Sequence, residues 1–317
     1  MAAAHDKEGN QARSVFNKAV EYGAMSTLVY GFASEAKNAI DVMARFERQM
    51  VEVTKVMDPL YQSQELLTES AKRMAVQYGV SIIESAKGMA VFAQQGKNAA
   101  QIIQLTEASL LAANTTTLNA AQATEALTAT IRQFNLTDSD AKRIIDSWLE
   151  VESRTAISAQ TMADAIKISG TAARVAGLSF DEFNGILSAV GSATRETGSQ
   201  LGTAFKFIIS KMRTDDAVTA LNRLGVATHN QNGDYRDLMV VLSDLNSKWV
   251  EMSQEQKAST AIAIAGTRRY NTLMTLMEKW DDALEAVSMS EDSHGKAMIK
   301  RKTCPNVDKN IATDVIQ

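Results

Sequence analysis

Residues 177–206 read GLSFDEFNGILSAVGSATRETGSQLGTAFK. Gly177-Leu178-Ser179 carries two signals in three residues. A glycine takes the left-handed conformation that ends a helix at little cost. A serine with a glutamate three residues on, here Glu182, opens the next helix, because each side chain satisfies a free backbone N–H of the other residue. From there Phe180, Phe183, Leu187 and Val190 recur at helical spacing. A second stripe follows: Leu201, Ala204, Phe205, Ile208, Ile209 and Met212. Gly198 and Gly202 lie one turn apart on this second helix, and small residues at that spacing let another helix backbone come close. Internal packing is the plainer reading of that pair; a contact between copies of the chain is the sharper one.

The same grammar recurs on both sides. Gly79-Val80-Ser81 with Glu84, Thr137 with Asp140, and Ser253 with Gln256 mark three more helix starts. Ala141, Ile144, Ile145, Trp148 and Leu149 form one more stripe. Leu273, Leu276, Met277, Trp280, Leu284 and Val287 form another. Pro59 and Pro305 are the two prolines, so the long span between them holds no obligatory helix breaker. Ala12 to Met57 has no proline and reads as one long helix or two, with Gly23 and Gly31 tolerated at about 1 kcal/mol each against Ala. Aromatics make up 6% of the chain while Met reaches 15 residues, which suits close helix packing with Met as filler. Met89–Leu111 and Met162–Leu187 share a loose order, but the cap pairs imply a different offset, so no internal duplication is established.

One segment departs from helical spacing. Leu224-Gly225-Val226-Ala227-Thr228 leads to His229 and then to Asn232-Gly233, the commonest type I′ turn pair. The expectation is an all-α bundle of amphipathic helices with one small β-hairpin near 225–236, leaning on the helices. After Gly295 the composition shifts to Lys296, Lys300, Arg301, Lys302 and Lys309 with no apolar stripe. Three regions result: a long-helix region over 1–58, a helical core over 59–295, and a poorly ordered basic tail over 296–317.

Composition excludes several functions. The net charge is −4, against the many unpaired Lys and Arg that nonspecific nucleic-acid binding needs. With one cysteine, Cys304, an internal disulfide framework is impossible. The first ten residues are polar, without the apolar stretch of a secretory signal. No window holds 18 uninterrupted apolar residues, and Ala258 to Gly266 is too short to cross a membrane.

Chemical motifs are sparse. His5, His229 and His294 have no second His or Cys at metal-ligand spacing. Gly96-Lys97 lacks the glycine five residues earlier and the following Ser or Thr of a phosphate loop. Asn230, Asn232 and Gly233 echo a calcium loop, but Met239 stands where its last carboxylate is required. Arg268 and Arg269 read as partners of nearby acids more readily than as a phosphate clamp. Glu278, Asp281, Asp282 and Glu285 read as a solvated helix face. No catalytic, cofactor or metal residue is assigned, and the chain is expected not to be an enzyme.

The ordered series of motifs resembles the core of phage tail tape measure proteins. It runs from Phe46-Glu47-Arg48-Gln49-Met50 and Lys55-Val56 through the quoted 177–206 stretch. It continues with Leu224-Gly225-Val226, Asn232-Gly233-Asp234, Asp244-Leu245, Trp249, Gln256, Ala265-Gly266-Thr267-Arg268, Asn271 and Trp280-Asp281. The likeness covers roughly residues 44–293. It implies a structural role: setting tail length, scaffolding tail tube assembly and aiding genome delivery. The implied partners are copies of the chain itself, tail tube proteins and tail assembly chaperones, with transient contact to phage DNA. The implied location is the virion tail, with the host cytoplasm during assembly. The chain departs from the family in being short, since 317 residues as one helix would span only about 475 Å, and in its basic tail, which suggests a truncated or frameshifted reading frame near Gly295. A general helical adaptor or coiled-coil protein without a phage role is the alternative.

Overall fold

The computed structural model describes residues 41–57 and 64–303. Among them the regular structure is helical: α1 (41–55), α2 (Gln64–Tyr78), α3 (Ile82–Gln94), α4 (Ala99–Thr115), α5 (Ala120–Phe134), α6 (Ala141–Arg154), α7 (Ala159–Val175) and α8 (Phe180–Thr194). Then come α9 (Gly198–Lys211), α10 (Asp215–Arg223), α11 (Leu238–Trp249), α12 (Gln254–Ala265), α13 (Tyr270–Glu278), α14 (Trp280–Glu291) and α15 (Lys296–Thr303). The expected starts at Ser81, Thr137, Ser179 and Ser253 are all present. Ser179 shows the reciprocal pair: its hydroxyl accepts the Glu182 N–H at 3.1 Å, and its own N–H donates to Glu182 Oε2 at 2.7 Å. Thr137 opens a short 3₁₀ turn (Asp138–Asp140) ahead of α6. Asn98 with Gln101, Asn119 with Gln122 and Thr197 with Gln200 add reciprocal caps that the sequence reading had not singled out.

Packing runs through one continuous core from Phe46 on α1 to Ala297 on α15. In the first half α2 meets α3 and α4, and α4 lies against both α3 and α5. Helix α7 joins the halves, touching α5 on one side and α9 on the other, while α8 pairs with α14. Trp148 of α6 is fully buried, with the Phe180 ring edge-on at 6.3 Å and Phe134 set 5.8 Å from Phe180. The stripes on α6, α8 and α9 point inward as spacing predicts.

Three expectations are corrected. First, the hairpin is absent: a single antiparallel bridge joins His229 to Tyr235. A type I′ turn needs positive φ at both central residues. Gly233 has it, at +86°, but Asn232 is not among the non-glycine residues with positive φ. Instead the Asn230 side-chain oxygen accepts the N–H groups of Asn232 (2.9 Å) and Asp234 (3.0 Å), building the turn around itself. By Leu238, which donates to Ala176 O at 2.9 Å, the chain has already entered α11. Second, the stripe over 273–287 is broken at Lys279 between α13 and α14, which turns Leu284 outward at 44% exposure. Third, the tail expected from 296 begins as helix α15, with Ala297 fully buried. The long N-terminal helix is described only over 41–55, and residues 1–40 and 58, like residues 304–317, lie outside the described residues.

Candidate functional site

The residues singled out for chemistry do not converge. His229 bonds Thr228 Oγ1 through Nδ1 at 2.9 Å and stacks on Tyr235 at 4.2 Å between ring centroids. His294 is exposed at the α14–α15 junction, and His5 and Cys304 lie outside the described residues. Lys97 donates to both oxygens of Asp138, at 2.7 and 2.8 Å, so the Gly96-Lys97 pair serves a helix junction. Among the described residues no group of three or more His, Cys, Asp or Glu is placed to hold a metal ion, and no helix is long and apolar enough to cross a membrane. Glu278, Asp281, Asp282 and Glu285 are all exposed. Arg268 and Arg269 form no ion pair with a described acid, contrary to expectation; Arg268 is exposed and Arg269 half-buried in the turn that follows Gly266, at φ +74°.

The glycine pair resolves as internal packing. A Cβ on Gly198 would lie 2.4 Å from Thr161 O, and one on Gly202 would lie 2.7 Å from Ala165 O, both on α7. Gly185 plays the same part between α8 and α14, where a Cβ would lie 2.4 Å from Val287 Cγ2 and 2.6 Å from Ala283 O. These helices touch backbone to backbone because the side chain has been removed.

A polar cluster between α6, α8 and α14 was not foreseen. Asn184 donates to Ser147 Oγ at 2.8 Å, Ser147 meets Ser290 Oγ at 2.5 Å, and Ser290 donates to Asp181 Oδ1 at 2.5 Å. Arg143 closes the chain on Asp181 Oδ2 at 2.7 Å. Two serines, a carboxylate and an arginine resemble nucleophile machinery, but no imidazole stands beside either hydroxyl. Ser147, Asn184 and Ser290 are buried and linked through Ser147, as polar groups in a core usually are, though Asn184 Oδ1 has no partner. The cluster therefore fixes helix register. The one sequence clue was Asp146, Ser147 and Glu150 lying between Ile145 and Val151 on a helix buried on all sides over 144–151.

Nearby, the Asp140 carboxyl is shifted below its ordinary value. Burial pushes its carboxyl up, but the Thr137 hydroxyl and N–H together with the Arg143 guanidinium outweigh this and hold it below 3.8.

A concavity of about 740 Å³ lies between α3 and α5, with α4 beneath. Gly88, Ala121, Ala129 and Thr124 keep its walls low, and Val91 stands 41% exposed in it. Thr106 Oγ1, buried in its floor, has no hydrogen-bond partner. Glu125 and Lys167 pair across one rim.

The described residues form a packed helical body, and the sequence has relatives among phage tail proteins. The family described as Phage-related minor tail protein matches residues 68–266, from α2 to the end of α12. The chain belongs to that family. The match sets aside the reading of a helical adaptor with no phage role. The chain is also 22% identical over 299 residues to the tape measure protein of Pneumococcus phage Dp-1, covering 93% of the chain and 25% of that protein. It is 26% identical over 148 residues to the probable tape measure protein of Escherichia phage P2, covering 45% of the chain and 18% of that protein. The chain thus spans about a quarter or less of the length of these curated relatives. No solved structure matches it.

Proposed function

We propose that this phage tail protein is the packed helical core of a tape measure, acting by helix packing and extension in the tail lumen with no bond made or broken. The observation that carries the reading is the coincidence of the family match, 68–266, with the helices that share one core. The alignment with the Dp-1 tape measure protein over nearly the whole chain supports it. In this role the protein sets tail length, scaffolds tube polymerisation and aids genome delivery. It associates with copies of itself, with tail tube proteins and with assembly chaperones in the host cytoplasm, because amphipathic helices can exchange internal partners for external ones. Contact with phage DNA is transient.

The test is made in a phage carrying the gene. An in-frame duplication of the segment encoding residues 64–303 lengthens the tails seen by electron microscopy. The ceiling is about 1.5 Å per added residue with every helix end to end, and the gain is smaller if the added body stays packed. Viable particles with tails of unaltered length would overturn the reading.

A further inference from the structure

Helix α15 is capped from outside its own segment. Where α3, α4, α5, α7, α8, α9 and α12 are opened by a local Ser, Thr or Asn, α15 takes a carboxylate from the middle of α6. Asp146 Oδ2 accepts the Gly295 N–H at 2.8 Å and Oδ1 accepts the Ala297 N–H at 2.9 Å. One turn further along α6, Glu150 holds Lys296 Nζ at 2.8 Å. Both carboxylate residues are buried, at 3% and 6% exposure. The apolar attachment is small by comparison. Ala297 is buried and Met298 partly so, while Ile299 is 61% exposed. The preceding helix, α14, buries Trp280, Ala283 and Ala286. Its last turn is tied down through Ser290, and Ser293 Oγ donates back to Ser290 O at 2.7 Å. Beyond it, the Lys296 N–H donates to Ser293 O at 3.1 Å across the junction. Gly295 follows at φ +79°, with nothing within 4 Å of where a Cβ would stand.

We propose that α15 is a latch that docks and undocks as a unit about Gly295, with Asp146 as the catch, while α14 and the body stay folded. Charge-assisted hydrogen bonds are strong but short-ranged and directional, so a small displacement breaks both Asp146 bonds together and water replaces them. Elements with little buried apolar surface are the ones that open locally. Undocking would free the α4 and α6 surface that α15 covers, so this inference concerns how the body presents itself and stands apart from any role in tail length.

Hydrogen exchange followed by mass spectrometry on the full chain tests it. In the unmodified protein the amides of 296–303 exchange at least about tenfold faster than those of 280–291. Asp146→Asn, which keeps the size and removes the charge, speeds 296–303 by about tenfold more and leaves 280–291 unchanged. Lys296→Ala, at a partly exposed side chain, gives a smaller rise confined to the same amides. Equal protection of the two helices in the unmodified protein would overturn the proposal, as would loosening of both together in Asp146→Asn. Should that variant fail to fold, Lys296→Ala decides, and unchanged exchange over 296–303 counts against the latch.

Discussion

The two halves of the molecule treat their glycines differently. Between α7 and α9, and between α8 and α14, glycine brings backbones into contact: at Gly185, Gly198 and Gly202 an added Cβ would meet a carbonyl oxygen at 2.4 to 2.7 Å. Between α3 and α5, which meet where Gln95 donates to Thr128 Oγ1 at 3.1 Å, a groove of about 740 Å³ stays open, and a Cβ on Gly88 would meet just the Thr106 methyl, at 3.3 Å. One glycine motif thus serves two ends. In the second half it removes volume so that the core can close. In the first half it lowers the wall of an open surface and leaves the helix poorer in propensity than alanine would.

That contrast makes the largest expected effect a loss at Gly185. Gly185→Val places three new carbons against Val287 and the Ala283 carbonyl and should cost about 3 kcal/mol or more in chemical denaturation. A loss under about 1 kcal/mol would mean that α8 and α14 can part without disturbing the core. The opposite sign is expected in the other half. Gly88→Ala should stabilise by up to about 1 kcal/mol, since alanine is the better helix former and the groove gives the Thr106 methyl room to shift. Destabilisation there would show that the first half is packed as tightly as the second.

The smallest effect lies in the short 3₁₀ turn ahead of α6. The Asp140 carboxyl titrates below its ordinary 3.8, so the contribution of its ionised form is complete above that value and is lost as pH falls through the lower, folded-state value. Asp140→Asn should cost about 0.5 kcal/mol at neutral pH. The gap between variant and unmodified protein should close as the pH is lowered below about 4. A gap independent of pH would assign the loss to the Thr137 cap alone.

What reasoning from residues could and could not reach follows the range of each interaction. Ser179 and Glu182 were legible because they bond across three residues. The small pair Gly198 and Gly202 was recognisable as a place of close approach, yet nothing local said whether α7 or another copy would fill it. The Asn-Gly pair at 232–233 misled, because Asn230 offered its side chain to the same N–H groups and won. The cluster of Ser147, Asp181, Asn184 and Ser290 left one local trace, the polar residues around Ser147 on α6, and nothing that named its partners. Its members are up to 143 residues apart, and each alone reads as an ordinary polar residue on a helix.

The amino-acid order alone determined that the chain is helical and where most helices begin and end, since caps, glycine stops and apolar spacing act within one or two turns. Only the tertiary structure decided which helices meet. It alone placed Asp146 at the start of α15, turned Leu284 outward and left a groove open between α3 and α5. Those outcomes depend on contacts between segments from 33 to 149 residues apart, where packing and buried hydrogen bonds outweigh local preference.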